Sequence, residues 1–168
     1  DNDIALERGH SFATSTGASV YVVSPDGKYR EGTTKDVERF ARLANALDNI
    51  DLTNGIIESQ EIPHELRDIY TASTMLNNTE KHYNYVTHGS EGARAIIRMA
   101  AAIVGDEDRL RERPIVSGAA PPSPPFYYDK TALDIFLEWV KHGLPVRIGS
   151  LPISGATAPV TLAGTIVE

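Results

Sequence analysis

The stretch from His82 to Ala119, HYNYVTHGSEGARAIIRMAAAIVGDEDRLRERPIVSGA, decides the fold. It opens with aromatic and β-branched residues that predict a strand over His82–Thr87. A helix is predicted next, because Ser90 can cap it, apolar residues recur at helical spacing and Gly105 can end it. A charged segment follows, which we interpret as a short extra helix or turn, and Pro114–Ala119 then predicts another strand. Strand, helix and strand in this order make one β-α-β unit.

The same unit recurs on both sides of this stretch. The centres of the four predicted strands, Thr53, Asn84, Val116 and Ile148, are 31, 32 and 32 residues apart. Alternation at a nearly constant interval predicts a parallel sheet with right-handed crossovers. The sequence contains no G-x-G-x-x-G motif, so the spacing favours a parallel α/β TIM barrel, (β/α)8, over a nucleotide-binding sheet.

Each predicted helix has a start signal and one apolar face. Thr34 and Asp129 can cap the helices before the first strand and after the third, and Pro63 suits a first helical position. Pro159 is the expected start of a last helix. The predicted buried faces are Val37, Phe40, Ala41, Ala44 and Leu47; Leu66, Ile69, Tyr70 and Leu76; Ala93, Ile96, Ile97, Ala100, Ile103 and Val104; and Ala132, Leu133, Phe136, Trp139 and Val140.

The N-terminal part of the chain follows a different pattern. Ala18–Val23 is a β-branched and aromatic run, Pro25-Asp26-Gly27 supplies turn chemistry, and Lys28-Tyr29-Arg30 can return as a partner strand. We therefore predict an N-terminal β-hairpin extension over residues 1–33 and the first four β/α units of a TIM barrel over residues 34–168. Such barrels have roughly 250 residues, so we expect a chain truncated at its C-terminus, with about as much sequence again to follow.

The composition argues against several classes of partner. The net charge is −7, and the 16 basic residues are interspersed with 23 acidic ones, which argues against nucleic-acid binding. No run approaches the roughly 20 apolar residues of a membrane span, so we expect no membrane partner and a cytoplasmic protein. The sequence has no cysteine and no pair of histidines at ligand spacing with an acid nearby, so we expect no metal site in this segment.

Candidate site residues lie where the strands end, because β/α barrels carry their active sites in the loops that follow. These loops are small and nearly uncharged, and they lack the paired carboxylates of glycosidases and a Schiff-base lysine. His88 fits either a general base or substrate ligand, or a histidine that is hydrogen-bonded within its loop. The candidate site residues are Asn54, Tyr85, His88, Ser117, Ser123, Ser154, Gly155 and Thr157.

Two further features leave alternatives open. Tyr83 and Tyr85 share one face of a strand, and Phe126-Tyr127-Tyr128 follow the next strand. Such aromatic residues can bind methylated ammonium groups by cation–π attraction, but packing in the core is the favoured interpretation. The segment Ser154–Pro159 lets backbone approach a ligand ahead of a helix N-terminus, and a tightly packed loop fits it equally well.

One segment resembles a known family. Pro152–Thr165, PISGATAPVTLAGT, is similar to the signature of the trimethylamine:corrinoid methyltransferase family. Phe40–Asp51 resembles that family's first barrel helix and strand, Pro121–Pro124 resembles its Ser-Pro loop, and the similarity extends from about Gly17 onward. The resemblance implies an eight-stranded barrel that binds a methylated amine at its mouth. A separate protein presents its corrinoid there, and the reduced cobalt attacks a methyl carbon.

The resemblance therefore implies an amine:corrinoid methyltransferase whose corrinoid (cobalamin) cofactor is carried by a separate partner protein. Its substrate is trimethylamine or a quaternary amine such as glycine betaine, and its contribution is to orient the substrate and exclude water. Members that act on trimethylamine carry pyrrolysine later in the barrel, so this sequence does not choose the substrate. The alternatives are a catalytically silent amine-binding or corrinoid-partner scaffold and an unrelated TIM-barrel lyase. We also expect a homo-oligomer.

Overall fold

The computed structural model describes residues 4, 7–15, 17, 19–123 and 127–167, and alternates strands with helices along most of that length. The elements are β1 (Tyr21–Val23), β2 (Tyr29–Glu31), α1 (Thr34–Ala46), β3 (Leu52–Asn54), α2 (His64–Asn78), β4 (His82–Tyr85), α3 (Ser90–Val104), α4 (Glu107–Glu112), β5 (Val116–Ala119), α5 (Lys130–Lys141), β6 (Val146–Arg147) and α6 (Leu162–Val167).

Strands β3 to β6 form one parallel sheet in sequential order. Thr53 aligns with Tyr83, Tyr83 with Val116, and Gly118 with Val146. This arrangement confirms the predicted β/α alternation and parallel sheet, although β4 and β5 are each two residues shorter than predicted. Sequential parallel strands are what a β/α barrel requires, but these four strands do not close into one. The complete barrel therefore stays a prediction.

The predicted N-terminal hairpin is present. Strands β1 and β2 pair antiparallel, with Val22 opposite Arg30. Gly27 closes the turn, where its amide donates to the Ser24 carbonyl at 2.8 Å and its φ is +79°, a conformation that favours glycine. Ala18, at the start of the predicted first strand, lies outside the described residues. The division between a hairpin extension and a barrel domain stays a prediction.

A segment before the hairpin covers the outer edge of β3, which the sequence did not predict. The Ala13 carbonyl accepts from the Leu52 amide at 3.1 Å, and the Ser15 amide donates to the Leu52 carbonyl at 2.9 Å. The Asn54 side chain adds a bond to the Ser15 carbonyl at 2.8 Å. Residues 13–15 are small and have no strand pattern of their own. They pair with β3 because its outer edge has backbone groups without another partner.

Helix α1 begins with a capping box at Thr33, and not with the predicted cap at Thr34. The Asp36 amide donates to the Thr33 hydroxyl at 3.3 Å, and the Asp36 carboxylate accepts from the Thr33 amide at 3.0 Å. Arg30 donates two bonds to the same carboxylate, at 2.5 and 2.8 Å. These bonds from Arg30, with those from Thr33, hold the pKa of Asp36 well below its usual range.

Other helix boundaries follow their sequence signals to within a few residues. Asp129 caps α5 as predicted and accepts from the Ala132 amide at 2.8 Å. Gly105 ends α3 with a φ of +118°, as predicted. The charged segment after α3 forms α4, which confirms the predicted short helix. Three predicted starts were displaced: the residue before α3 is Gly89 instead of Ser90, Pro63 precedes α2 instead of opening it, and α6 starts at Leu162 instead of Pro159.

The predicted buried face of α2 is wrong for three of its four residues, whereas the fourth, Leu76, is partly buried against the core. Leu66, Ile69 and Tyr70 are 52%, 42% and 37% exposed. The helix instead buries Asp68, Thr71, Ala72 and Met75. Asp68 makes hydrogen bonds to His88 outside the helix, and these bonds turn its face inward although the opposite face has more apolar residues. Four more residues predicted to be buried are exposed in the other helices: Leu47, Ile103, Leu133 and Val140.

The core lies between the sheet and the helices that follow its strands. Tyr83, Met75, Ile96 and Trp139 are fully buried there. A Cβ atom at Gly118 would lie 2.4 Å from Nε1 of Trp139, so this position on β5 requires glycine. Within the described residues no helix is long and apolar enough to cross a membrane, and a cytoplasmic location stays a prediction.

Candidate functional site

The two faces of the parallel sheet have different environments. Side chains alternate between the faces along each strand, and the face with Tyr83, Val116 and Gly118 packs against the helices. The opposite face, which we call the cavity face, borders an open cavity of about 1340 Å³. Its lining from the strands and the residues next to them includes Leu52, Asn54, His82, Asn84, Ile115, Ser117, Val146 and Arg147.

Three uncharged polar side chains cross the middle of the cavity face. Asn54 aligns with Asn84, and Asn84 aligns with Ser117. All three are buried, and the Asn84 amide donates to Oγ of Ser117 at 2.9 Å. The structure therefore brings together two predicted site residues, Asn54 and Ser117, and adds Asn84. We call these three residues the polar row.

His82 holds the Ser117 hydroxyl from the other side. Nδ1 of His82 lies 3.1 Å from the Pro114 carbonyl, which can only accept, so Nδ1 carries the hydrogen. Nε2 is therefore free to accept from Oγ of Ser117 at 2.8 Å. Burial lowers the pKa of His82, which favours this neutral imidazole. The pair resembles a hydroxyl–base arrangement, and it fixes the orientation of Ser117.

His82 and Asn84 were missed as site residues. Both lie inside the predicted strand His82–Thr87, whereas most of the candidate site residues lie at or beyond the strand ends. The alternation that places His82, Asn84 and Val86 on one face of the predicted strand was a usable signal, since two polar residues on one face of a buried strand are unusual. Oδ1 of Asn84 has no hydrogen-bond partner among the described residues.

His88 lies beyond the C-terminal end of β4 and is held by α2. Asp68 accepts from the His88 backbone amide at 2.8 Å and from Nδ1 at 2.7 Å. Nε2 of His88 lies 3.8 Å from the Glu58 carboxylate, and the His64 ring meets the His88 ring edge-on at 4.6 Å. Of the two alternatives for His88, a base or substrate ligand and a histidine hydrogen-bonded within its loop, this geometry matches the second. Asp68 was missed because it lies 20 residues away on a helix face expected to be exposed.

Tyr85 lies on the helix-facing side of the sheet. It is 3% exposed, and its ring stacks on Tyr83 with centroids 5.7 Å apart. Burial raises its pKa far above the usual range, and a Cβ atom at Gly55 would lie 2.4 Å from its ring. Tyr83 and Tyr85 therefore pack in the core, as favoured from sequence, and the structure does not bring Tyr85 together with the polar row.

Ser123 begins a small loop after β5. Its amide donates to the Tyr127 carbonyl at 2.7 Å, and the Tyr127 amide donates back at 2.9 Å. Pro124 and Phe126, which belong to the predicted Ser-Pro loop and aromatic cluster, lie outside the described residues. No contact places Ser123 beside the polar row.

The segment with Ser154, Gly155 and Thr157 forms an exposed turn after β6. Gly155 has a φ of +76°, and Oγ1 of Thr157 accepts from the Ile153 amide at 3.0 Å. The Ser154 hydroxyl donates to the Pro159 carbonyl at 3.3 Å. The bonds of this turn are internal, so its placement in a substrate site stays a prediction.

The cavity face offers little to a metal ion. Among the described residues no group of three or more histidine or acidic side chains could hold a metal ion. The two ring nitrogens of His82 lie within hydrogen-bond distance of Pro114 and Ser117. This imidazole is therefore already engaged at both ring nitrogens by groups of the protein.

A family model matches the whole chain, and several known proteins match most of it. The model of the trimethylamine methyltransferase (MTTB) family matches residues 1–168. The chain is 34% identical over 167 residues to trimethylamine methyltransferase MttB of Desulfitobacterium hafniense (strain DSM 10664 / DCB-2), covering 99% of this chain and 34% of that protein. It is 31% identical over 147 residues to a glycine betaine methyltransferase of D. hafniense (strain Y51), covering 87% and 31%.

A third relative has a similar identity and coverage. The chain is 30% identical over 148 residues to trimethylamine methyltransferase MttB of Methanosarcina barkeri (strain Fusaro / DSM 804), covering 84% of this chain and 30% of that protein. The chain thus spans about a third of the length of the curated relatives that it matches.

Proposed function

The chain belongs to the trimethylamine methyltransferase family, as its resemblance predicted, and we propose that it is part of an enzyme that demethylates a methylated amine. The methyl acceptor is the cobalt(I) of a corrinoid held by a separate protein. The names of its relatives, trimethylamine and glycine betaine methyltransferases, support the class of substrate. The match of the family model to residues 1–168 is the observation that carries this proposal.

We propose further that these β/α units are the first half of a TIM barrel. The sheet is parallel and sequential from β3 to β6, and no described strand pairs with the outer edge of β6. The matched relatives are about three times as long as the aligned region, which leaves ample chain for the remaining units. In such a barrel the cavity face becomes the interior wall below the active-site mouth.

The proposed reaction requires the protein to position the substrate more than it requires acid–base catalysis. The acceptor supplies an electron pair that forms the cobalt–carbon bond, while the electrons of the carbon–nitrogen bond leave with the amine. A quaternary ammonium substrate then departs as a neutral tertiary amine and needs no proton. The polar row of Asn54, Asn84 and Ser117 is uncharged, so it can orient a substrate through hydrogen bonds and contacts. Ser117 is held in place by His82.

The test uses the full-length protein with its cognate corrinoid protein reduced to cobalt(I). Trimethylamine, glycine betaine and other methylated amines are supplied one at a time, and the visible spectrum of the corrinoid is followed. We expect loss of the cobalt(I) spectrum with at least one amine, together with release of the demethylated amine. A reduced but unchanged corrinoid with every amine would contradict the proposal.

The same assay distinguishes the remaining alternatives. An amine that binds without any methyl transfer would identify a catalytically silent scaffold, which the polar row would serve equally well. Absence of both binding and transfer would return the unrelated lyase to consideration, because one barrel fold hosts many chemistries. The expected homo-oligomer stays a prediction.

A further inference from the structure

Asn84 carries an unpaired hydrogen-bond acceptor in the middle of the polar row. Its side chain is 2% exposed and lines the cavity, yet Oδ1 has no hydrogen-bond partner among the described residues. Buried polar atoms are nearly always paired, because an unpaired one loses its contacts with water and gains no replacement. Oδ1 of Asn84 therefore requires a donor that the described residues do not supply.

The orientation of the Asn84 amide is fixed by its other terminal atom. Nδ2 donates to Oγ of Ser117 and to the Gly118 carbonyl, each at 2.9 Å. A carbonyl can only accept, so exchanging Nδ2 with Oδ1 would set two acceptors against each other. Both partners of Nδ2 belong to β5, so Oδ1, on the other branch of the planar amide, is turned away from β5. The acceptor is thus held in one direction before any ligand binds.

The donors that surround Asn84 in the polar row are directed at other groups. The Ser117 hydroxyl donates to Nε2 of His82 at 2.8 Å, and the Asn54 side-chain amide donates to the Ser15 carbonyl at 2.8 Å. Since the polar row borders the cavity, a molecule bound in the cavity is the remaining source of a donor for Oδ1.

We propose that Oδ1 of Asn84 accepts a hydrogen bond from the N–H group of a protonated methylated amine bound at the polar row. This inference rests on the proposed function. A positively charged N–H is a strong donor to an amide oxygen, and the polar row contains no cation that would repel an ammonium group. An N–H directed at the sheet leaves the methyl groups on the opposite side of the nitrogen, where a methyl acceptor can approach a carbon.

The hydrogen bond is compatible with the proposed methyl transfer. The methyl carbon leaves the nitrogen without the electrons of the carbon–nitrogen bond, so a tertiary ammonium becomes a neutral secondary amine that keeps its N–H. Asn84 thus orients the amine and transfers no proton. With a quaternary substrate, the same contact forms with the demethylated amine after that amine has taken up a proton.

The test uses two pairs of ligands, and the members of a pair have the same charge but differ in one N–H against one N–methyl group. One pair is trimethylammonium and tetramethylammonium, and the other is dimethylglycine and glycine betaine. Affinities are measured by calorimetry on the full-length protein without corrinoid, at neutral pH. We expect the unmodified protein to bind the N–H member of a pair more tightly than the quaternary member.

Asn84→Leu has nearly the same shape but lacks the acceptor. It should lower the affinity for the N–H members by about 10- to 100-fold, as expected for a hydrogen bond to a charged group. The affinity for the quaternary members should change little, because they offer Oδ1 no donor.

Two further variants keep the test specific. Ser117→Ala removes one partner of Nδ2 and keeps Oδ1, so it should retain the preference for the N–H members. Asn77→Leu makes the same replacement as Asn84→Leu at an exposed position of α2, and it should leave every affinity unchanged. Thermal unfolding shows whether the variants remain folded, and the preference of the unmodified protein is measured independently of them.

Either of two results would overturn the role of Asn84. One is an unmodified protein that binds the quaternary member at least as tightly in both pairs, or that binds no member of either pair. The other is a folded Asn84→Leu variant whose affinities for both members of a pair are unchanged or equally lowered. Selective binding of the N–H members without methyl transfer to cobalt would refute the proposed function and leave the role of Asn84 intact. Methyl transfer without that selectivity would do the reverse.

Discussion

The hydroxyl of Ser117 has two neighbours, and each comes from strand β4. The Asn84 amide donates to Oγ at 2.9 Å, and the His82 imidazole accepts from it at 2.8 Å. Buried polar atoms need such partners, since an unpaired one costs about 1–3 kcal/mol. At the scale of single residues, these bonds couple the orientation of Ser117 to the protonation state of His82.

This coupling predicts a pH-dependent stability. Burial lowers the pKa of His82, so the unfolded chain takes up a proton near the ordinary value of 6.5 while the folded chain does so only at lower pH. The contribution of His82 to the free energy of unfolding should therefore be constant above pH 6.5. It should decline as the pH falls below that value toward the folded-state pKa.

The measurement is denaturant unfolding of the full-length protein between about pH 8 and pH 5. The unmodified protein should lose more stability on acidification than His82→Gln, because the variant lacks this proton. Comparing the two removes the contributions of the other histidines. Parallel stability curves for the two proteins would refute the linkage to His82.

At the scale of elements, α1 shows how one carboxylate joins the hairpin to the first β/α unit. Asp36 accepts from the Thr33 amide at the start of the helix and from Arg30 on β2. The Asp36 side chain is 5% exposed, while Arg30 is 40% exposed. The contact thus combines a helix cap with an ion pair that is only partly open to water, which strengthens it relative to a surface pair.

We expect Asp36→Ala to lower the free energy of unfolding by about 1–3 kcal/mol, because it removes the cap and leaves the partly buried donors of Thr33 unpaired. Asp48→Ala is the matched control, as it deletes an exposed carboxylate just beyond the same helix, and it should change the free energy by less than about 0.5 kcal/mol. Urea unfolding of the two variants measures both values. Equal effects would show that the capping box contributes little.

At the scale of the whole molecule, the two outer edges of the sheet have different surroundings. Residues 13–15 cover the outer edge of β3, whereas apolar side chains after β6 lie open to solvent. Leu151, Val160, Leu162 and Ile166 are each more than 70% exposed. Apolar surface concentrated in one region marks a place where further protein packs, so the C-terminal side of this chain is where the remaining barrel units are expected.

The 168-residue chain by itself should consequently self-associate. Sedimentation velocity at increasing concentration should show species above the monomer mass, and Leu162→Asp combined with Ile166→Asp should reduce them. Leu43→Asp combined with Leu66→Asp is the matched control, since these leucines are 53% and 52% exposed on α1 and α2. A monomer at every concentration, or an equal effect of both pairs, would contradict this role of the C-terminal segment.

The sequence by itself determined the order of the elements, the parallel sheet and the family. These depend on local signals: the spacing of apolar runs, the turn at Pro25-Asp26-Gly27, the cap at Asp129, and the segment Pro152–Thr165. Each signal is set by residues close together in the chain, so it can be interpreted without knowing where distant residues lie. The order of strands and helices also predicted that Asn54 and His88 lie at the C-terminal ends of strands.

Only the tertiary structure decided which face of α2 is buried and which polar side chains meet. The apolar count of α2 predicted the wrong face, because the bonds between Asp68 and His88 join residues 20 positions apart. The register of β4 against β5 placed Asn84 beside Ser117, and that of β5 against β6 placed Arg147 on the cavity face. Polar pairing is a property of contacts between distant segments, and no local pattern encodes which partners meet.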